Sequence, residues 1–218
     1  MGMEKASLGK TIALLPAGGA GRQDAVSAVS KSEALRKSLH FLVALSPALT
    51  FAGVPFAVMS LLAGVVFYTL MELLRLSGRR VPVVSALTMM VSRERGVRRF
   101  ELGPVTLGLG AALALLLFPL PAATVGILAA AFGDGFAGLV GRLLGRVRPA
   151  FLFGKSVEGS LACLAATAIA VYLFTRSPAV ALTAAVVATI AEALPLEDYD
   201  NIALPLVVAL AAQGLLAA

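Results

Sequence analysis

The chain has no tryptophan, one cysteine, one histidine and little charge: 14% of its 218 residues are Asp, Glu, Lys or Arg. The lone cysteine, Cys163, lies inside an apolar run, so no intrachain disulfide is available. Scarce charge excludes an ordinary soluble domain. The apolar runs do not alternate with polar residues, which excludes a membrane β-barrel. What fills the chain is hydrophobic, 59% by count, with a mean hydropathy of +0.94. Its long Ala-, Leu- and Val-rich runs predict an all-α, polytopic bundle of membrane helices. The net charge of +6 is gathered into short clusters. No soluble domain is there to present them, so no nucleic-acid partner is expected.

Residues 1–30 are rich in Ala, Gly and Ser and are expected to be a flexible cytoplasmic tail; residues 31–218 form the membrane domain. The apolar piece at 11–20 is too short to span and is broken by Pro16, Gly18 and Gly19. With Lys5 and Lys10 ahead of it, it has the outline of a weak signal peptide, but the tail reading is preferred. Residues 41–74 hold one charge, Glu72, and as one straight helix would reach about 51 Å, against a hydrocarbon core of about 30 Å. They therefore read as two short crossings hinged at Gly53-Val54-Pro55. Further spans are expected at 104–120, 122–140, 157–175, 177–195 and 201–218, seven in all. The apolar segment 81–91 is too short to cross and reads as interfacial or re-entrant. The tail, the 75–103 loop and the 141–156 loop hold 17 of the 18 Lys and Arg. The positive-inside rule then puts the N-terminus in the cytoplasm and the C-terminus outside. The 196–200 loop breaks the pattern, with Glu197, Asp198 and Asp200 and no base.

Polar residues interrupt the greasy sequence in a few places. Glu33, Arg36, Lys37 and His40 are spaced i, i+3, i+4 and i+7, on one helical face running into the first crossing. Glu72 and Arg75 end the second crossing as an i, i+3 pair. Asp134 sits in an apolar run between Gly133 and Gly135, where a carboxylate costs about 2.5–3.5 kcal/mol to insert. Gly138, Gly141 and Gly145 follow at packing intervals, and Arg142 is two turns on from Asp134 and nearly on its face. Acid, base and glycine together suit a phosphate and a divalent cation.

Gly154-Lys155-Ser156 looks like the end of a P-loop, but Pro149 stands where that motif needs a glycine, and no strand precedes it. Ser156 instead reads as the cap of the next helix, whose free amides, with Lys155, Arg142 and Arg146, make a seat for phosphate oxygens. Glu158-Gly159-Ser160 follow. Glu192 closes the sixth span before Pro195, Asp200-Asn201 opens the seventh, and Pro205 disturbs that helix early. Acids on both sides of a short inner loop suit Mg²⁺.

In this order the pieces resemble the CTP-dependent lipid-alcohol kinases: the dolichol kinase, phytol kinase and yeast-type diacylglycerol kinase group, often labelled phosphatidate cytidylyltransferases. The matching stretches are Arg36-Lys37-x-x-His40; Glu72-Leu-Leu-Arg75; Gly133-Asp134-Gly135 with Gly141-Arg142 and Gly145; Lys155-Ser156 with Glu158-Gly159-Ser160; and Glu192-Ala-Leu-Pro195 with Asp200-Asn201 and Pro205. They cover about residues 33–206. The resemblance implies transfer of the γ-phosphoryl of CTP to a long-chain lipid alcohol at the cytoplasmic face. The chain lacks the Gly-rich Asp-Arg-x-Asp signature of true cytidylyltransferases, and it lacks the extra N-terminal spans of the larger dolichol kinases, which favours a compact enzyme of a prokaryotic inner membrane. A transporter would place charge at the midplane and repeat its halves; here charge gathers at the inner ends.

On this reading Mg²⁺ belongs to Asp134, helped by Glu192 or Asp200. Lys155, Arg142 and Arg146 grip the triphosphate, with Ser156 and the backbone at Gly133, Gly135, Gly141 and Gly154 close to it. Arg36, Lys37 and His40 complete the pocket or orient the lipid hydroxyl. Asp134 is the first candidate for general base and His40 the second.

Overall fold

The computed structural model describes residues 38, 40–77, 100, 102–196 and 199–217, and all regular structure among them is helical. The longer helices are α1 (Val54–Leu76), α2 (Gly103–Leu117), α3 (Leu120–Leu128), α4 (Gly135–Leu143), α5 (Val157–Thr175), α6 (Pro178–Ala193) and α7 (Asp200–Leu216). A 3-10 helix, Ser46–Ala52, precedes α1, and a π-helical segment, Ala129–Asp134, runs straight from α3 into α4. Among the described residues, three stretches are long and apolar enough to cross a membrane: Val54–Leu74, Leu120–Leu143 and Val157–Thr175. Four apolar helices are shorter: His40–Ala52, Gly103–Leu117, Pro178–Ala193 and Asp200–Leu216.

Each expected span overlies one of these seven stretches. The hinge falls where the sequence places it, since Gly53 has φ +107°, a left-handed region that glycine enters without strain, and α1 starts at the next residue. The two halves of 41–74 differ from expectation in being unequal. The first is mostly 3-10 helix, whereas α1 is a full 23 residues. The tail, Glu33, Arg36, Lys37, segment 81–91, Glu197 and Asp198 lie outside the described residues, as does the side chain of Arg75.

Helix ends follow local chemistry. Proline occupies the first turn of α1, α2, α3 and α6, where a missing N–H costs nothing. Ser156 caps α5, its Oγ accepting from the Gly159 amide at 3.1 Å, and Ser177 caps α6 by accepting from Val180 N at 3.4 Å. Arg176 adopts a left-handed conformation that ends α5.

The bundle is small inside and large outside. Its core is mainly Ala, with Val125, Ile127, Val171, Val180, Leu204 and Val208, whereas Leu116, Leu161, Ile169, Leu182, Ile190 and Leu210 are exposed on its surface. Large apolar side chains facing outward around helices with a small-residue core suit a hydrocarbon solvent. Contact between helices is close where glycine removes a side chain. Pro205 has no N–H for the carbonyl of Asn201, four residues back in α7. A Cβ on Gly110 would collide with that carbonyl, and one on Gly126 with the carbonyl of Pro205. So α7 lies tightly on α2 and α3 at its proline.

Candidate functional site

Helix termini of one side of the bundle converge. The start of α2, the end of α6 and the starts of α5 and α7 meet there, beside the last turn of the π segment. They enclose a cavity of about 330 Å³. His40, Asp134, Arg142, Lys155, Glu192 and Asp200 all line it, with Asn201, Ser156 and the backbone of Gly141 and Gly154. Residues far apart in sequence are thus gathered into one polar recess among apolar helices.

Asp134 ends the π segment. Wide turns of this kind leave the regular hydrogen-bond ladder and often mark functional positions. Its Oδ2 stands 3.4 Å from His40 Nδ1, with the imidazole almost fully buried. His40 therefore reaches the site from the very start of the first apolar stretch, His40–Ala52.

Lys155 lies between two acids. Its Nζ is 3.2 Å from Glu192 Oε1 and 3.9 Å from Asp200 Oδ2, and it donates to the backbone carbonyl of Glu192. One ammonium thereby joins the end of α6 to the start of α7. The Glu192 side chain is buried, and a carboxylate there needs a cationic neighbour. Asn201 completes the corner, its Nδ2 donating to Gly103 O and to Thr106 Oγ1, both at 3.3 Å. This ties α7 to the first turn of α2.

The 144–156 loop that delivers Lys155 is stapled twice. Arg148 donates from Nη1 to Gly154 O at 2.6 Å and from Nη2 to Gly141 O at 2.7 Å, gripping the loop at both ends. Glu158 accepts from the amides of Arg146 at 2.9 Å and Val147 at 3.2 Å. Phe153 and Gly154 both have positive φ, 50° and 92°, and turn the chain so that Lys155 enters the cavity. Open space surrounds the position a Gly154 Cβ would take.

The structure redistributes several roles read from the sequence. Gly133 and Gly135 flank Asp134 but do not line the cavity. A Cβ on Gly133 would strike Thr167 Oγ1, and one on Gly135 would lie 3.2 Å from the Phe41 ring. Both glycines serve packing. Gly141 does line the cavity and also packs against Ser156. Arg146 and Glu158 lie outside the lining and shape the loop; Glu72 is fully buried near the end of α1, also outside it. Arg148, which has no role of its own in the reading from sequence, both lines the cavity and holds its rim. A carbonyl carries no sequence signal, so its two acceptors were not legible beforehand.

Asp134, Glu192 and Asp200 offer oxygen donors to one space. Among the described residues, no group of three or more His, Cys, Asp and Glu side chains is clustered tightly enough to hold a metal alone. Mg²⁺ commonly takes one or two carboxylates and completes its shell with water and phosphate. Compared with protein-family models, with characterised proteins and with solved structures, the chain matches none.

Proposed function

We propose that the protein is a membrane phosphotransferase that uses a nucleoside triphosphate, CTP by the sequence resemblance, to phosphorylate a long-chain lipid alcohol. The observation that carries this reading is the shared cavity. Three carboxylates, three cations and a histidine from separate helices line one space at one end of a membrane-type bundle. Buried charge in such a bundle is costly and marks a ligand or reaction site. The positive-inside pattern supports a cytoplasmic position for this end, on the side that holds the nucleotide, and the family resemblance suggests a prokaryotic inner membrane.

The chemistry follows from positioning and charge. Arg142 and Lys155 meet the phosphate oxygens, Lys155 exchanging carboxylate for phosphate as the polyanion enters. Asp134, helped by Glu192 or Asp200, would hold Mg²⁺, which when bound neutralises charge on the triphosphate. Asp134, oriented by His40, is the candidate to take the proton of the lipid hydroxyl. Arg148 keeps the Lys155 loop in place and touches no reacting atom in this scheme.

The test is incubation of the purified protein with labelled CTP or ATP, Mg²⁺ and a panel of phytol, polyprenol, dolichol and diacylglycerol, with products read by mass. A lipid monophosphate with release of CDP supports the kinase. A CDP-lipid with pyrophosphate would identify a cytidylyltransferase instead, and absence of any nucleotide-dependent product across the panel would sink both.

A further inference from the structure

A second recess lies on the outer surface of the bundle, along the seam between α5 and the α3–π–α4 helix. It encloses about 600 Å³ and is lined by nine side chains, all apolar. Its α5 wall includes Ala162, Ala166, Ile169 and Leu173, one face of the helix read at three- and four-residue steps. The opposite wall includes Phe132 and Phe136. From Ala162 to Leu173 the groove runs about 16 Å at 1.5 Å per residue.

Its position relative to the polar cavity gives it a meaning. Phe136 lines the groove and the next residue, Ala137, lines the cavity; Ala162 lines the groove and Gly159, one turn earlier, lines the cavity. The groove thus begins where the cavity ends and runs away from it toward the other side of the bundle. The boundary is built by consecutive residues. His40 faces Asp134 in the cavity, while the Phe41 ring packs at 5.5 Å on Phe132 and 5.4 Å on Phe136, between centroids. A ligand with a polar head and an apolar chain matches this sequence of surfaces.

We propose that this groove holds the hydrocarbon chain of the lipid-alcohol substrate, with the hydroxyl delivered past Phe41 to Asp134. The proposal rests on the kinase reading for the identity of the head, and on the groove for the chain. The lining has no hydrogen-bond donor, so recognition is by burial and dispersion. The alanines set a floor that one linear or methyl-branched chain can lie on, and the Phe, Ile and Leu side chains form its rim.

Two measurements test it. In phosphatidylcholine nanodiscs, a phytol analogue carrying a mid-chain diazirine should label the peptide spanning 157–175 on illumination, and excess phytol should suppress that label. Labelling that phytol does not suppress, or that falls on α1 or α6, overturns the groove assignment. Suppressible labelling of α5 without any phosphorylated product keeps the groove and sinks the kinase reading, so the two failures are distinguishable. In turnover, Ala166→Phe should raise the apparent KM for phytol roughly tenfold, the equivalent of about two methylenes of lost burial. It should leave the apparent KM for CTP unchanged, and leave turnover of prenol, which has the same allylic head and a single isoprene unit, unchanged. Leu182→Phe, on the exposed face of α6, should change none of these. Equal effects of Ala166→Phe on phytol and prenol, or no effect on either, would overturn the proposal.

Discussion

At the scale of single residues the site is a set of shared obligations. Asp134 faces His40 and lines the cavity, so its carboxylate is both oriented and accessible. Asp134→Asn keeps the shape and hydrogen-bonding reach but removes the charge and the basic oxygen. It should lower kcat by about 10²–10⁴-fold, the range for loss of a general base, while membrane insertion and yield stay at wild-type level. Full turnover in that variant would remove Asp134 from the chemistry. Arg148 makes a different kind of contribution. Its planar fork reaches two carbonyls on opposite sides of the loop, and lysine cannot reproduce that geometry. Arg148→Lys keeps the charge yet loses one charge-assisted bond, worth about 1.5 kcal/mol. Because the loop carries Lys155, the apparent KM for nucleotide should rise by about tenfold, with the KM for lipid unchanged. Equal changes in both constants would mean that the residue supports the bundle generally rather than the nucleotide seat.

At the scale of elements, the glycines around Asp134 show what a sequence conveys and what it withholds. Helix boundaries were legible because punctuation is local. Ser156 and Arg176 bracket α5 as expected, Gly53 breaks the first hairpin, and prolines open several helices. The π segment was not legible. Ala129–Asp134 has no composition that sets it apart from an α-helix; its widened turns come with packing of this stretch against α5, α6 and α7. Gly133 likewise read as a place for phosphate to approach, whereas it is the place where α5 approaches. Of the candidate site, the charged members were legible from their rarity in apolar sequence, and their partners were not, since Lys155 finds Glu192 across 37 residues. Gly133→Ala forces a methyl onto the buried Thr167 hydroxyl and should destabilise the protein by about 1–3 kcal/mol, as overpacking does. Thr167→Ala in the same chain removes the obstructing oxygen and should restore part of the loss. Thermal unfolding of the two single variants and the double variant measures this coupling. Strict additivity would show that the two residues do not press on each other.

At the scale of the whole molecule, the question is which side of the membrane each helix end faces. The 19-residue α5 spans about 28 Å, enough for most of a hydrocarbon core. Its two ends carry Arg146 in the loop before it and Arg176 in the turn after it, both exposed. If α5 crosses, these positions face opposite compartments, and Ala217, at the end of the α6–α7 hairpin, faces the same compartment as Arg176. By the positive-inside rule, the basic loops are expected to face the cytoplasm, and Arg146 with them. Cys163 is the only cysteine and is fully buried, so Cys163→Ala gives a clean background for single-cysteine variants. In intact bacterial cells, an impermeant maleimide should label Arg176→Cys and Ala217→Cys. It should label Arg146→Cys only after the membrane is permeabilised. Labelling of Arg146→Cys and Arg176→Cys from the same side would show that α5 does not cross. The inverse pattern, with Arg146→Cys labelled in intact cells, would put the polar cavity outside, away from the cytoplasmic nucleotide pool. The bundle would then stand and the kinase would not, because a triphosphate-dependent site on that face would have no donor to use.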